Sequence, residues 1–256
     1  MLFNNYVFGP VYSRRLGLSL GLNIFPKNKK YCSYNCIYCE CGWTNDIINY
    51  NEFPNPEDII NELEQKLKNI NENDIDVITF AGNGEPTLHP QFDKIVDAVI
   101  FLRNKYIPSK KIALLSNSST INKPDIIKAI KKLEMPIMKL DVGDETLYKI
   151  INQPLIKINN TGFKEIVEGL KKLGNNCIIQ TIFLRGKIND EYFDNTEQTN
   201  LLKWINILEQ INPKQVMIYP IDRKTPLKEI EKIDCKTLNE IGYMLKEKGI
   251  PVMVVC

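Results

Sequence analysis

Three cysteines fall within eight residues, Cys32-Ser33-Tyr34-Asn35-Cys36-Ile37-Tyr38-Cys39, at C-x3-C-x2-C spacing. Thiolates this close on one short loop can converge on a soft metal centre. An iron–sulfur cluster with four irons usually takes four cysteine ligands. A compact set of three leaves one iron without a protein ligand, and an open metal position marks a catalytic site rather than a structural one. The spacing therefore predicts Cys32, Cys36 and Cys39 as ligands of a [4Fe–4S] cluster on a loop spanning 32–39. A zinc site and three unrelated core thiols are the plainer readings. Zinc usually takes two C-x2-C pairs or added histidines, and the single histidine, His89, is remote in sequence.

Such a loop needs a scaffold, and the rest of the chain has the rhythm of one. Leu18 to Ile24 reads as a strand with glycines at close-approach positions, and the cysteine loop follows it. Asn55 caps a helix opened by Pro56, with Ile59, Ile60, Leu63, Leu67 and Ile70 at helical spacing. Further helical stripes run from Phe92 to Leu102, from Ile126 to Leu133 after Pro124, and from Phe163 to Leu173 before Gly174. Two more cover roughly 196–211 and 236–248. Short apolar runs at 76–81, 111–115, 136–140, 177–184 and 215–219 alternate with them, and 250–255 follows the last helix. Strands apolar on both faces, alternating with amphipathic helices, predict an α/β fold with a parallel sheet covered by helices. The pattern gives six βα units and a terminal strand in a single domain over 1–256. It leaves two closures open, a doubly wound sheet and a partial barrel.

Ligands of parallel α/β folds bind at the carboxyl ends of the strands. Here those ends carry Gly82-Asn83-Gly84-Glu85-Pro86, Ser116-Asn117-Ser118, Asp141 with Asp144, Gln180 with Arg185, and Tyr219 with Asp222 and Arg223. The expectation is a polar rim shared with the cysteine loop. Each segment also has a structural reading. Gly82-x-Gly84 lacks the full G-x-G-x-x-G of a phosphate loop and reads equally as a turn. Ser116 and Asn117 suit a turn cap. His89, before Pro90, reads as structural or surface, and Trp204 as core.

Composition bounds the function. Apolar residues make up 43% and charged residues 25% of 256, an ordinary globular balance. The 33 basic and 31 acidic residues leave a formal charge of +2, which is no electrostatic footprint for nucleic acid. Met1 to Tyr6 shows no charged leader followed by an apolar run, and no apolar run approaches the ~20 residues that span a bilayer. A cytoplasmic protein without membrane contact is expected. In a reducing compartment, seven cysteines argue for metal or redox use rather than disulfides.

Together the motifs resemble the radical S-adenosylmethionine (SAM) superfamily. Cys32-x3-Cys36-x-Tyr38-Cys39 is similar to its signature, with an aromatic residue before the third cysteine. Gly82 to Pro86 resembles its glycine–glutamate–proline segment, and Ser116 to Ser118 and Asp141 to Asp144 resemble its later SAM-contacting strand ends. More narrowly, Gly9-Pro10 with Ser13-Arg14-Arg15-Leu16-Gly17, the stretch Phe80 to Pro90, and Ile218 to Arg223 resemble an iron–sulfur oxidoreductase group related to the archaeal wyosine-base synthases. Those enzymes modify a guanosine of phenylalanine tRNA.

The resemblance implies a partial (β/α)6 TIM-like barrel with an extra C-terminal strand. It implies an enzyme that cleaves SAM reductively at the cluster and abstracts hydrogen from a substrate, a tRNA base being one candidate. It implies a reductant such as flavodoxin or ferredoxin. Gly82, Asn83, Gly84 and Glu85 would meet the methionine amine; Ser116, Asn117, Ser118, Gln180 and Arg185 fall among the SAM contacts, with Arg185 suited to the carboxylate. Asp141 would meet the ribose, and Tyr38, Ile218 and Tyr219 would flank adenine. The synthases hold a second cluster on cysteines upstream of the signature. No cysteine precedes Cys32 in this sequence, so one cluster is expected. A radical SAM activase acting on a partner protein, of the glycyl-radical type, is the first alternative. A non-catalytic iron–sulfur or zinc protein is the second.

Overall fold

A computed structural model describes residues 2–45 and 48–256. Met1 and residues 46–47, which belong to the N-terminal stretch and to the polar connection after the cysteine loop, lie outside the described residues. The chain divides into two compact units.

The first unit holds the residues up to Ser33, Thr44–Ser116 and Lys123–Pro136. It opens with a hairpin in which β1 (Val7–Ser13) runs antiparallel to β2 (Gly17–Leu22). β1 carries little strand signal, because Gly9-Pro10 sits inside it. The pairing shifts between Phe8 and Val11, which accommodates Pro10, a residue with no N–H to give. α1 (Pro56–Lys68) starts where its cap predicts: the Asn55 side chain accepts from Glu57 N–H, and Ile59, Leu63 and Leu67 are buried. β3 (Val77–Phe80) is buried along its whole length and pairs parallel with β2. α2 (Phe92–Tyr106) leads to β4 (Lys111–Ser116), parallel to β3, and then α3 (Pro124–Ile130).

The second unit holds Tyr34–Trp43, Asn117–Asn122 and Ile137–Cys256. β5 (Met135–Lys139) enters it with its last three residues. α4 (Glu145–Ile151), capped by Asp144, and α5 (Phe163–Leu173), closed by Gly174, precede β6 (Ile178–Ile188). β7 (Glu191–Asp194) and α6 (Gln198–Ile211) lead to β8 (Gln215–Pro220). β9 (Ile230–Lys232), α7 (Cys235–Glu247) and β10 (Val252–Val254) follow. β5, β6, β8 and β10 pair parallel in that order, which makes β10 the additional C-terminal strand. β6 outruns its apolar stretch because its second half pairs antiparallel with β7 and β9. Trp204 is fully buried, stands edge-on to Phe183 with ring centroids 5.3 Å apart, and donates from Nε1 to Leu140 O at 3.1 Å.

The mixed α/β class and the mostly parallel strand order match the sequence reading. Cysteine usage does not match it in full. Cys235 and Cys256 form a disulfide with Cα atoms 5.3 Å apart, within the ordinary bridging range. The 21-residue separation gave no sign of this pairing, because α7 and β10 create the proximity. Cys32, Cys36, Cys39, Cys41 and Cys177 take no part in a disulfide. Among the described residues, no helix is long and apolar enough to cross a membrane.

Candidate active site

The segment after β3 is built around two glycines. Gly82 and Gly84 have φ of 150° and 149°, a region that side chains with a Cβ rarely adopt. A Cβ on Gly84 would lie 1.7 Å from Tyr31 O. This close approach lets Tyr31 N–H donate to Asn83 O at 2.8 Å and Glu85 N–H donate to Tyr31 O at 3.0 Å. Tyr31 is the residue before Cys32, so the glycine segment fixes the chain where the cysteine loop begins. The side chains here are committed to structure. Asn83 exchanges hydrogen bonds with the Phe3 backbone and donates to Pro26 O. Buried Glu85 accepts through Oε1 from Thr87 N–H (3.2 Å), Thr87 Oγ1 (2.6 Å) and Ser116 Oγ (2.8 Å). Ser116, at the end of β4, thereby ties β4 to the segment after β3. His89 is buried and structural: Nδ1 accepts from Gln91 N–H, and Nε2 lies 3.2 Å from Pro54 O.

In the second unit the rest of the cysteine loop lies against the end of α4. Asn35 N–H donates to Gln153 O at 3.0 Å, and Ile37 N–H donates to Ile151 O at 3.1 Å. These two bonds flank Cys36 on one side and Asn152 on the other, so the two residues face each other. Asn152 Nδ2 approaches Cys36 Sγ at 3.8 Å, Tyr38 Oη at 3.1 Å and Asp141 Oδ2 at 2.8 Å. Burial, with Cys39 as a second like-charged neighbour, pushes the Cys36 thiol up to about 11.

Asp141, just past β5, is buried and surrounded by donors. Oδ1 accepts from Ile182 N–H at 3.0 Å and lies 3.4 Å from Lys139 Nζ. Oδ2 accepts from Tyr38 Oη at 2.5 Å as well as from Asn152. These four neighbours occupy what a carboxylate can accept. Burial, then Asp141 itself, raises the Tyr38 phenol well above its ordinary value, so it remains a donor. Lys139 points between two aromatic rings, with Nζ 4.6 Å from the Tyr38 centroid and 5.2 Å from that of Tyr219, and bonds Tyr219 Oη at 2.8 Å. Burial alone would lower its ammonium; Asp141 and Tyr219 outweigh burial and hold it above the usual lysine value.

The second unit thus brings Tyr38, Asp141 and Tyr219 into one network with Cys36. Asn117 lines the same recess as Asp141, Lys139 and Asn152, and its Oδ1 accepts from Ser119 N–H. Ser118 is turned to structure and donates to Lys139 O at 2.9 Å. Gln180 pairs with Lys139 in the β5–β6 ladder, and Ile218 is buried in β8. Arg185 lies on the β6 extension and pairs with Asp194 at 3.6 Å, outside this network. Arg223 pairs with Glu40 at 2.7 Å. The sequence reading passed over Lys139 and Asn152. Lys139 had a signal: it stands two residues before Asp141, on the same face of an otherwise apolar strand. Asn152 had none, because only the fold sets it against Cys36.

The donor set fits an iron–sulfur cluster. None of the three signature cysteines is in a disulfide, although the chain makes one elsewhere. The raised Cys36 thiol is no bar to ligation, because a bound metal deprotonates the thiol that coordinates it. Among the described residues, no three His, Cys, Asp or Glu side chains converge as ligands of one metal ion. Cluster thiolates bind separate irons and do not need to meet at one point.

Residues 30–199, more than half of the chain, match the Radical SAM superfamily, and the chain belongs to it. That family works with SAM and a [4Fe–4S] cluster. The chain is also 37% identical over 213 residues to a UPF0026 protein of Methanocaldococcus jannaschii, covering 81% of this chain and 61% of that one. A UPF0026 protein of Helicobacter pylori is 33% identical over 227 residues, covering 87% and 68%. The chain therefore spans roughly two thirds of these relatives' length. The crystal structure of Streptococcus suis SuiB bound to S-adenosylmethionine has the same fold, with a TM-score of 0.65 at 15% identity over 92% of this chain and 50% of that one.

Proposed function

We propose that this chain holds a [4Fe–4S] cluster on Cys32, Cys36 and Cys39 and cleaves SAM reductively. When bound, the reduced cluster would supply one electron, drawn from an external reductant such as flavodoxin or ferredoxin, to a C–S bond of SAM; methionine would leave and the 5′-deoxyadenosyl group would take a hydrogen atom from a substrate. The observation that carries the reading is three cysteines outside any disulfide, at C-x3-C-x2-C spacing, inside a superfamily match over 30–199. The chain's own residues bind and orient. For Gly82 to Glu85 the contact with the methionine amine falls to main-chain groups, since the Asn83 and Glu85 side chains serve other partners. Ser116, Asn117 and Arg185 serve the SAM carboxylate, and Ser118 and Gln180 complete the SAM contacts. The ring of Tyr38 and the Ile218–Tyr219 backbone flank adenine. Asp141 reaches a ribose hydroxyl only if Tyr38 or Asn152 yields its place.

Anaerobic reconstitution is expected to give about four irons per chain, and dithionite with SAM to release 5′-deoxyadenosine. Cys36→Ala should lose the cluster. A fully loaded cluster that never cleaves SAM under reduction would sink the reading. RNA or a single protein recovered with the purified chain would then divide the two substrate classes, a tRNA base or a partner protein.

A further inference from the structure

We infer that Asn152 is a positioning residue for the cluster ligand Cys36, setting its place and the electron affinity of the bound cluster through an N–H···S contact. The inference rests on the reading of Cys36 as a cluster ligand.

Its geometry comes from the backbone. Ile151 O and Gln153 O accept from Ile37 and Asn35, so the residue between each pair faces the other. Asn152 is only 4% exposed and Cys36 only 9%. The amide of Asn152 is itself held, with Nδ2 2.8 Å from Asp141 Oδ2 and 3.1 Å from Tyr38 Oη. Tyr38 closes the circuit by donating to the same Asp141 oxygen at 2.5 Å. Asp141 in turn is fixed to the sheet by Ile182 N–H and, through its main-chain oxygen, by Asn195 Nδ2 at 2.9 Å. A continuous chain of bonds therefore runs from the strand ends to the sulfur.

The consequence follows from charge. A thiolate on a reduced cluster carries more negative charge than on an oxidised one. A donor aimed at that sulfur favours the reduced state, and hydrogen bonds to cluster sulfurs are among the factors that set the reduction potential. Removing the donor should make reduction harder. The protonation state of Lys139, Tyr38 or Cys36 is not involved; the contact is a fixed amide.

The test compares the reconstituted native chain with Asn152→Leu, similar in volume and without a donor. The readouts are iron content and midpoint potential by spectroscopic redox titration. Circular dichroism checks the fold. The expected result is an unchanged iron content with reduction disfavoured by up to about tenfold, a negative shift of up to ~59 mV for a one-electron couple. An unchanged potential in a folded, loaded Asn152→Leu overturns the inference. If that variant does not fold, Tyr38→Phe decides. It removes the phenol oxygen that helps hold the Asn152 amide in place, and a negative shift of smaller size is expected; no shift overturns the inference. If the native chain loads no cluster at all, the proposed function fails first, an outcome visible before any variant is made.

Discussion

At Gly84 one hydrogen atom decides whether the chain can pack. Tyr31 O lies where a Cβ would stand, and φ is already unfavourable for any other residue. Gly84→Ala is expected to cost at least ~2 kcal/mol in urea unfolding. It should also loosen Cys32, which adjoins Tyr31. His89 gives a pH-dependent prediction. Burial lowers its pKa, and Nδ1 is occupied as an acceptor. The unfolded histidine binds a proton as pH falls through about 6.5, while the folded one resists. Its stabilising contribution is therefore complete above that range and declines as pH drops below it, levelling off beneath the folded value. Urea unfolding at pH 7.5 and pH 5 should show this loss in the native chain and a smaller one in His89→Gln. An equal loss in both would refute the assignment.

Single elements here act through their ends. α4 is only seven residues long, yet its tail Ile151-Asn152-Gln153 docks the cysteine loop. α1 starts where its cap predicts, ends at Lys68 just short of the last residue of its apolar stripe, Ile70, and works as scaffold. The disulfide ties the first residue of α7 to Cys256. A cross-link closing a loop of this size restricts the unfolded chain by about 3 kcal/mol. Cys235→Ser should lower the unfolding free energy by up to that amount while leaving the iron content after reconstitution unchanged. Loss of iron in Cys235→Ser would give these thiols a part in the cluster.

Across the whole molecule, charge constrains the partner. With +2 from 33 basic and 31 acidic residues, the chain offers little long-range attraction to a polyanion. Arg223 is further offset by Glu40. If tRNA is the substrate, fluorescence anisotropy should show a salt dependence shallower than that of a protein making about six to ten phosphate contacts. A steep slope would mean that basic groups gather on one face despite the balance.

What the sequence by itself determined was local. Cysteine spacing, the Asn55–Pro56 cap, the helical stripes and the apolar strand runs each depend on neighbours a few residues away, and each reappears in the fold. Strand ends could be read as polar because the strands themselves were legible. What only the tertiary structure decided was which neighbours each polar group meets. Glu85 and Asn83 looked like ligand contacts and are occupied by Thr87, Ser116, Phe3 and Pro26. Asp141 read as a ribose contact at a strand end and is met within the chain by four donors. Asn152 looked like nothing and faces Cys36. Hydrogen bonds between residues 31 to 116 positions apart are invisible to periodicity, because the fold alone brings their partners within 4 Å.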